Sequence, residues 1–152
     1  MDIVLILLLI LLNGVFAMSE IAVVSSRKAR LQNLAEDGSP GAQAALSLHQ
    51  EPTSFLSTIQ VGITTVGILS GAVGERTLAD PFGEWLAQMP LLAPYAKAIA
   101  LSVVVVALTY FSVVVGELVP KRLGLLAPEA IASMVARPMM WLSGLGKPLV
   151  WL

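Results

Sequence analysis

The chain has 152 residues, of which 57% are hydrophobic and only 12% are charged, and its mean hydropathy is +0.84. Soluble domains carry about 25% charged residues, so these values indicate a protein that lies in a membrane. A net charge of −1 gives no electrostatic support for nucleic-acid binding, the lack of cysteine excludes disulfides and thiolate sites, and the single histidine, His49, argues against a zinc site.

The first apolar segment, residues 3–26, contains one charged residue, Glu20, and is long enough to cross a hydrocarbon core of about 30 Å. The preceding Met1 and Asp2 lack the positive charge of a secretory signal, and apolar sequence continues past a faint cleavage-like V-F-A. We therefore predict a retained membrane helix rather than a signal peptide. Asn13 and Gly14 mark a point where this helix can bend.

Residues 27–51 are polar and mixed in charge, with modest apolar faces around Leu31, Leu34 and Leu48. The D-G-S-P-G stretch at 37–41 is a strong turn signal. The pattern predicts two short helices that are joined by this turn and lie on the membrane surface. A solvated helical hairpin without lipid contact fits the same pattern.

The second apolar segment, residues 53–74, contains no charge and follows Pro52, which favours the first turn of a helix. It is rich in small residues, and Gly67 with Gly71 forms a G-x-x-x-G pattern that lets membrane helices approach closely. Helix packing without a role in ion binding is the favoured explanation for most of these small residues. Gln60 differs, because a large amide within an uncharged span needs a polar partner.

The third apolar segment, residues 97–119, runs into the stretch G-E-L-V-P-K-R at 116–122. Proline has no N–H, so Pro120 cannot donate to the carbonyl of Gly116 four residues earlier. In lipid that carbonyl needs a partner from another helix, water or an ion. Glu117 places a carboxylate directly beside it, so this stretch is a candidate wall of a cation site.

Residues 75–97 are predicted to form a loop with some helix, because prolines and mixed charges punctuate them. Residues 124–152 are apolar but broken by prolines and glycines, and two cations leave no window for a fourth span. We predict an interfacial helix or pair of helices there, with Trp141 and Trp151 at the membrane surface.

The distribution of lysine and arginine predicts the orientation of the spans. Of these nine cations, Arg76 and Lys97 fall on one side, and the others fall on the opposite side: Arg27, Lys28, Arg30, Lys121, Arg122, Arg137 and Lys147. The positive-inside rule places the second group in the cytoplasm, with the N-terminus outside and the C-terminus inside. The prediction is an all-α, multi-pass protein of the cell (inner) membrane.

The three spans place polar groups at similar depths below the cytoplasmic surface. Counting at helical rise puts Ser19, Glu20 and Gln60 roughly 10–12 Å deep and Glu117 about 6 Å deep, with Gly116 slightly deeper. These groups offer only oxygen atoms, which hard cations such as Mg²⁺ and Na⁺ prefer. We therefore predict one shared metal site formed by Ser19, Gln60, the Gly116 carbonyl and Glu117.

Simpler interpretations stay open for both carboxylates. Glu117 stands at the i, i+4 spacing to Lys121, which fits an ordinary salt bridge. Glu20 fits a pair with Arg27 or a water-exposed position. Neighbouring residues lie about 100° apart on a helix, so Ser19 and Glu20 are not expected to face the same ion. Glu20 is assigned to the surroundings of the ion or to a coupling-ion site.

Three motifs stand in order along nearly the whole chain: L-N-G-V-F-A-M-S-E-I-A at 12–22, F-L-S-T-I-Q-V-G-I-T at 55–64 and G-E-L-V-P-K-R at 116–122. Together they resemble the transmembrane domain of the CorC / cyclin M magnesium transporters. The resemblance implies a dimeric domain of three spans with a juxtamembrane helical belt. It also implies a following cytoplasmic region with paired CBS modules that bind ATP, which this sequence does not include.

The resemblance implies ligands as well. Ser19 would come from the M-S-E motif, and the Gly116 carbonyl and Glu117 from the motif G-E-x-x-P-K. Relatives carry Asn in the second span where a polar ligand is expected, and this chain offers Gln60 nearby.

Four further residues are expected around the ion. The resemblance implies that Pro120 breaks the helix and that Lys121 acts as a gate or anchor. With Asn13 and Glu20, they are assigned to the surroundings of the ion or to a coupling-ion site.

The resemblance implies efflux of Mg²⁺ driven by Na⁺ entering in exchange, and we accordingly predict export of Mg²⁺ from a dehydrated site between the three helices of each protomer. The predicted partners are Mg²⁺, membrane lipid and a second copy of the chain, and no nucleic acid. One alternative is a membrane anchor and dimerisation domain for a cytoplasmic regulatory module, without transport of its own, and another is a channel. An enzyme is the weakest interpretation, because no nucleophile–base pair is visible.

Overall fold

Residues 1–150, which the computed structural model describes, form helices joined by short turns and contain no strand. The helical elements are, in chain order, α1 (Asp2–Ser25), α2 (Lys28–Glu36), α3 (Pro40–Gln50), α4 (Pro52–Gly74), the π-helical turn π1 (Glu75–Ala79), α5 (Asp80–Ala87), a 3₁₀ turn (Ala93–Tyr95), α6 (Ala96–Val113), the π-helical turn π2 (Val114–Leu118), α7 (Val119–Leu126) and α8 (Pro128–Val150). This confirms the predicted all-α fold class. Trp151, predicted to lie at the membrane surface, is outside the described residues.

Three helical runs are long and apolar enough to cross a membrane: Asp2–Ser25, Pro52–Ala87 and Ala93–Leu126. Each starts within a few residues of its predicted position. Large apolar side chains such as Leu8 and Ile68 are exposed along them, as is typical of a surface that meets lipid. The prediction of three membrane-spanning helices is therefore confirmed.

The second helical run is longer than predicted. α4 passes through π1 into α5 without interruption and ends at Ala87. Pro81 does not stop it, because it directly follows π1, where the Asp80 N–H bonds to the Glu75 carbonyl five residues back and the wider turn accommodates the proline. The loop predicted over residues 75–97 is thus reduced to the turn at residues 88–92.

The prediction that Pro120 breaks the third helix is wrong. The helix runs from α6 through π2 into α7 and ends at Leu126. In π2 the hydrogen bonds reach five residues back, as in the bond from the Val119 N–H to the Val114 carbonyl. The wider turn lets the helix continue past Pro120, which directly follows it and has no N–H to donate.

The helical hairpin predicted over residues 27–51 is confirmed as α2 and α3. Gly38 makes the turn between them with a φ of 94°, a conformation that glycine adopts without strain. Ser39 caps α3, because its side chain accepts a hydrogen bond of 3.3 Å from the Ala42 N–H. The position of this hairpin on the membrane surface stays a prediction.

α8 is one continuous helix rather than a broken pair, although Pro138 and Pro148 lie inside it. One of its faces carries buried residues at helical spacing: Ala132, Val135, Ala136 and Met139. This face packs against α1, α3 and α4 and closes the main buried core of the described residues. Trp141 is exposed, and its predicted place at the membrane surface stays a prediction.

The junction between α1 and α2 is tied to both α3 and α8. Ser26 Oγ lies within hydrogen-bond distance of the Val23 carbonyl of α1 and of His49 Nε2 of α3, at 2.8 Å from each. The Glu129 carboxylate accepts a hydrogen bond of 3.1 Å from the Arg27 N–H and lies 3.9 Å from Arg30 Nη1. The hairpin and α8 therefore hold one end of α1 firmly.

The crossing of α3 over α8 gives a first prediction. A Cβ on Gly41 would overlap the backbone carbonyl of Ser133, which no rotamer change can move. We expect Gly41→Ala to lower the free energy of unfolding by about 1–3 kcal/mol, measured by thermal unfolding in detergent. Gly144→Ala is the matched control: nothing lies within 4 Å of a Cβ there, so it should keep or slightly raise stability. Equal unfolding of the two variants would contradict this packing.

Glu129 gives a pH-dependent prediction. Burial raises the pKa of this carboxyl, but hydrogen bonds from the backbone N–H groups of Arg27 and of Glu129 itself, and the charge of Arg30, together hold the pKa below its ordinary value of 4.5. A carboxyl whose pKa is lower in the folded state than in the unfolded state stabilises the fold at any pH above its unfolded-state pKa. This stabilisation is lost as the pH falls through the folded-state pKa.

We therefore expect Glu129→Gln to lower the free energy of unfolding by about 1–2 kcal/mol at neutral pH. The difference from the unmodified chain should shrink as the pH falls below 4.5, because protonated Glu129 no longer carries the charge that its partners stabilise. Thermal unfolding across this pH range measures both effects. Glu36→Gln, at an exposed position of α2, is the control, and an equal loss in that variant would contradict the assignment.

Candidate cation site

α1 packs along π2 and α7 through a seam of three glycines, here called the glycine seam. A Cβ on Gly14 would lie 2.9 Å from Pro120 Cγ. A Cβ on Gly116 or Gly124 would lie 3.2 Å or 2.9 Å from a backbone carbonyl of α1. These separations are shorter than ordinary carbon contacts, so a side chain at any of the three positions would collide with the opposite helix, and the two helices approach each other closely. The polar residues of the seam are therefore brought close together.

Gly116 and Asn13 make the first polar link across the seam. Pro120 cannot donate to the Gly116 carbonyl, as the sequence predicts, and that carbonyl accepts a hydrogen bond of 2.9 Å from Asn13 Nδ2. The oxygen without its helical donor thus has a side-chain donor from another helix. This is one of the partners that a backbone carbonyl needs in a membrane.

Lys121 makes the second link. Its Nζ lies 2.8 Å from Glu117 Oε1 and 3.8 Å from Glu20 Oε2, so one ammonium is shared by carboxylates of two helices. The salt bridge between Glu117 and Lys121 is the simpler interpretation that the i, i+4 spacing suggested. For Glu20 the partner is Lys121, and the suggested pair with Arg27 is not formed. All three side chains are partly exposed, with fractions of 42% for Glu117, 33% for Lys121 and 28% for Glu20.

The side chain of Ser19 lies on a different face of α1 from the residues that make these two links. It is three residues after Phe16 and four before Val23, and it shares the helix face of these two core residues. Its side chain is fully buried, and its hydroxyl donates a hydrogen bond of 2.6 Å to the Val15 carbonyl. A ligand role for Ser19 stays a prediction.

Gln60 is likewise away from the seam. Its side chain is exposed, and within residues 1–150 α4 packs on α1, α6 and α8 rather than on π2 or α7. The structure therefore brings together six of the eight predicted residues, and it does not bring Ser19 and Gln60 to them. A ligand role for Gln60 stays a prediction.

The seam gathers three oxygen acceptors: the carboxylates of Glu20 and Glu117 and the carbonyl of Gly116. No group of three acids, histidines or cysteines within residues 1–150 is close enough to hold a metal ion alone. A divalent cation at the seam would need further oxygens, from water or from neighbouring polar groups, because Mg²⁺ takes about six at 2.0–2.1 Å. An ammonium group needs fewer ligands in a less regular arrangement, as Lys121 illustrates.

Two features of the seam were outside the sequence interpretation. Asn13 was placed near the ion but without a partner, and Glu20 was not paired with Lys121. One signal was available, because Asn13 and Glu20 are seven residues apart and so lie on one face of α1. No signal in the sequence showed that this face would meet Gly116 and Lys121.

Comparison with known proteins shows that the chain is similar to several curated proteins. Among curated proteins, the UPF0053 protein sll0260 of Synechocystis is 52% identical over 147 residues, covering 97% of this chain and 33% of the relative. The Polyamine export protein of Escherichia coli K12 is 33% identical over 150 residues, covering 99% of this chain and 33% of the relative. The UPF0053 protein YhdP of Bacillus subtilis is 30% identical over 151 residues, covering 99% and 34%.

The chain spans about one third of the length of these curated relatives. Residues 4–152 match the family described as the cyclin M transmembrane N-terminal domain, abbreviated CNNM. The match covers all three spans, the hairpin and α8, and it confirms the resemblance found in the three sequence motifs. The chain belongs to the cyclin M (CNNM) transmembrane domain family.

Proposed function

We propose that the chain exports cations across the cell membrane, and that the glycine seam is the place where the cation binds. The observation that carries this proposal is the position of the Lys121 ammonium, which lies 2.8 Å from Glu117 and 3.8 Å from Glu20, on the same seam as the Gly116 carbonyl that accepts from Asn13. Carboxylates inside a membrane are costly unless a positive charge accompanies them, and they mark ion pathways. Relatives named Polyamine export protein support an export role.

Mg²⁺ is the first candidate cargo. The acceptors at the seam are all oxygen, which suits a hard cation, and a single site with two carboxylates would bind it weakly enough for release. Ser19 and Gln60 are the proposed additional ligands, and they would have to turn toward the seam or act through water. Na⁺ entering in exchange is the proposed coupling ion, and the residues around the Mg²⁺ site would hold it.

A polyamine is the second candidate cargo, and a specific observation favours it. Lys121 is itself a primary ammonium on an alkyl chain, and it sits between the two carboxylates. A polyamine carries the same head group and could be bound by the same oxygens. Several relatives are named for polyamine export, which adds weight to this candidate.

The proposed exporter works as a homodimer in the cell (inner) membrane, with its N-terminus outside and its C-terminus in the cytoplasm. A Cβ on Gly67 or Gly71 would meet nothing within 4 Å, so this face of α4 is open to a second copy. The asymmetry of lysine and arginine supports the orientation. The alternative function is a membrane anchor for a cytoplasmic regulatory module without transport of its own.

A transport assay tests the site. Vesicles that contain the full chain are loaded with Mg²⁺ or with spermidine, and the initial efflux of each cargo is measured. We expect Glu117→Gln to lower efflux of the true cargo about tenfold or more, because a charged ligand is lost. The control is Glu84→Gln, which changes an exposed carboxylate on α5 and should leave efflux unchanged. Efflux at the unmodified rate in Glu117→Gln would sink the site assignment.

The same assay separates the candidates. Efflux of only one cargo identifies it, and dependence of that efflux on an inward Na⁺ gradient supports exchange. Flux of neither cargo from the unmodified chain would favour the membrane-anchor function. Ser19→Ala tests the remaining ligand, since an unchanged efflux in that variant would remove Ser19 from the site.

A further inference from the structure

We propose that Lys121 is a built-in substitute for the cargo: its ammonium occupies the cation position when the site is empty, and an arriving cation must displace it. The inference rests on the proposed function and adds a residue that sets the affinity of the site. It follows from which atoms of the seam donate and which accept.

Each acceptor that a cation would use already has a partner from the chain, either an ammonium or an amide N–H. Glu117 and Glu20 share the Lys121 ammonium, at 2.8 Å and 3.8 Å. The Gly116 carbonyl accepts from the Asn13 amide at 2.9 Å. In the absence of a cation, the acceptors of the site are therefore paired with donors of the protein itself, which occupy the position that a cation would take.

The charge balance explains why a substitute is needed. Glu20 on α1 and Glu117 on π2 face the same ammonium across the seam. Without Lys121 and without cargo, the two carboxylates would have no cation between them and would repel each other. The Lys121 ammonium offsets the repulsion between the two carboxylates in the empty site, so that the protein is stable without a bound ion.

A cation and these donors exclude one another. Mg²⁺ on the Gly116 carbonyl, at about 2.1 Å, would stand against the hydrogens that Asn13 presents to the same oxygen. A cation between Glu117 and Glu20 would stand against the Lys121 ammonium at close range. Like charges at this separation repel strongly where water is scarce. Binding therefore releases both donors rather than adding to them.

Both links cross the seam, and they run in opposite directions. Asn13 on α1 donates a hydrogen bond to Gly116 on the third span, and the Lys121 ammonium on the third span forms an ion pair of 3.8 Å with Glu20 on α1. A cation that releases both donors unfastens α1 from π2 and α7 at the same time. The substitute cation thus connects cargo binding to a change in how these two helices are joined.

Lys121→Met tests this inference, because methionine keeps the length of the side chain and removes its charge. We expect the purified full chain with this change to unfold at a lower temperature without divalent cations. Its half-saturating concentration for thermal stabilisation by Mg²⁺ should fall about three- to tenfold, since a partly exposed ion pair no longer competes. Added 1,4-diaminobutane is the second probe and should show the same direction of change.

Two control variants distinguish the loss of the competing Lys121 ammonium from a general loss of stability. Lys121→Arg keeps the charge and should retain the half-saturating Mg²⁺ concentration within about twofold of the unmodified value. Arg122→Met removes the neighbouring exposed charge from α7 and should leave this concentration unchanged. If Lys121→Met is too unstable to purify, the double change Lys121→Met with Glu20→Gln restores the charge balance, and its stability without Mg²⁺ should recover. A double variant no more stable than Lys121→Met would argue against the inference.

The outcomes distinguish this inference from the proposed function. If Mg²⁺ stabilises the unmodified chain but not Glu117→Gln, while Lys121→Met needs as much Mg²⁺ as the unmodified chain, the substitute-cation inference is overturned and the site stands. If neither Mg²⁺ nor 1,4-diaminobutane stabilises the unmodified chain or Lys121→Met, the proposed function itself fails. A lower half-saturating concentration in Lys121→Met alone supports the inference.

Discussion

The missing N–H of Pro120 is the constraint on which the rest of the seam depends. A proline in a membrane helix leaves a carbonyl without its donor, and lipid offers none. The chain meets this demand in two ways: π2 widens the helix so that it continues past the proline, and Asn13 crosses from α1 to the Gly116 carbonyl. That second bond brings the polar face of α1, with Glu20, against the third span.

The position of α1 against the third span also determines which charged groups meet. Once α1 is held at the seam, Glu20 and Glu117 are close enough to share one ammonium, and neither carboxylate is left without a positive neighbour. In the proposed exporter these groups have two tasks at different times. They hold the helices together when no cation is bound, and they hold the cation when one arrives. A site that must release its cargo benefits from such an internal competitor, because the competitor limits affinity.

The fold was largely predictable, and the site was predictable only in part. Long uncharged segments predict spans, because crossing lipid requires them, and a turn signal predicts the hairpin. The ends of the spans were harder to predict, since Pro81 and Pro120 suggest interruptions but follow π-helical turns through which the helices continue. Depth along a helix can be counted from the sequence, yet the direction that a side chain faces around the axis depends on packing. Ser19 and Gln60 have suitable depths but face away from the seam.

The glycine seam also determines how the two helices can move. Side chains that interlock must change rotamers before helices slide past each other, which slows and opposes the motion. At Gly14 and Gly124 the missing side chains leave room for the side chains of Pro120 and Ile21, which would lie 2.9 Å and 2.5 Å from an added Cβ. A shear of α1 along the third span would therefore have to move these two side chains out of their positions over glycine, in addition to opening the two polar links.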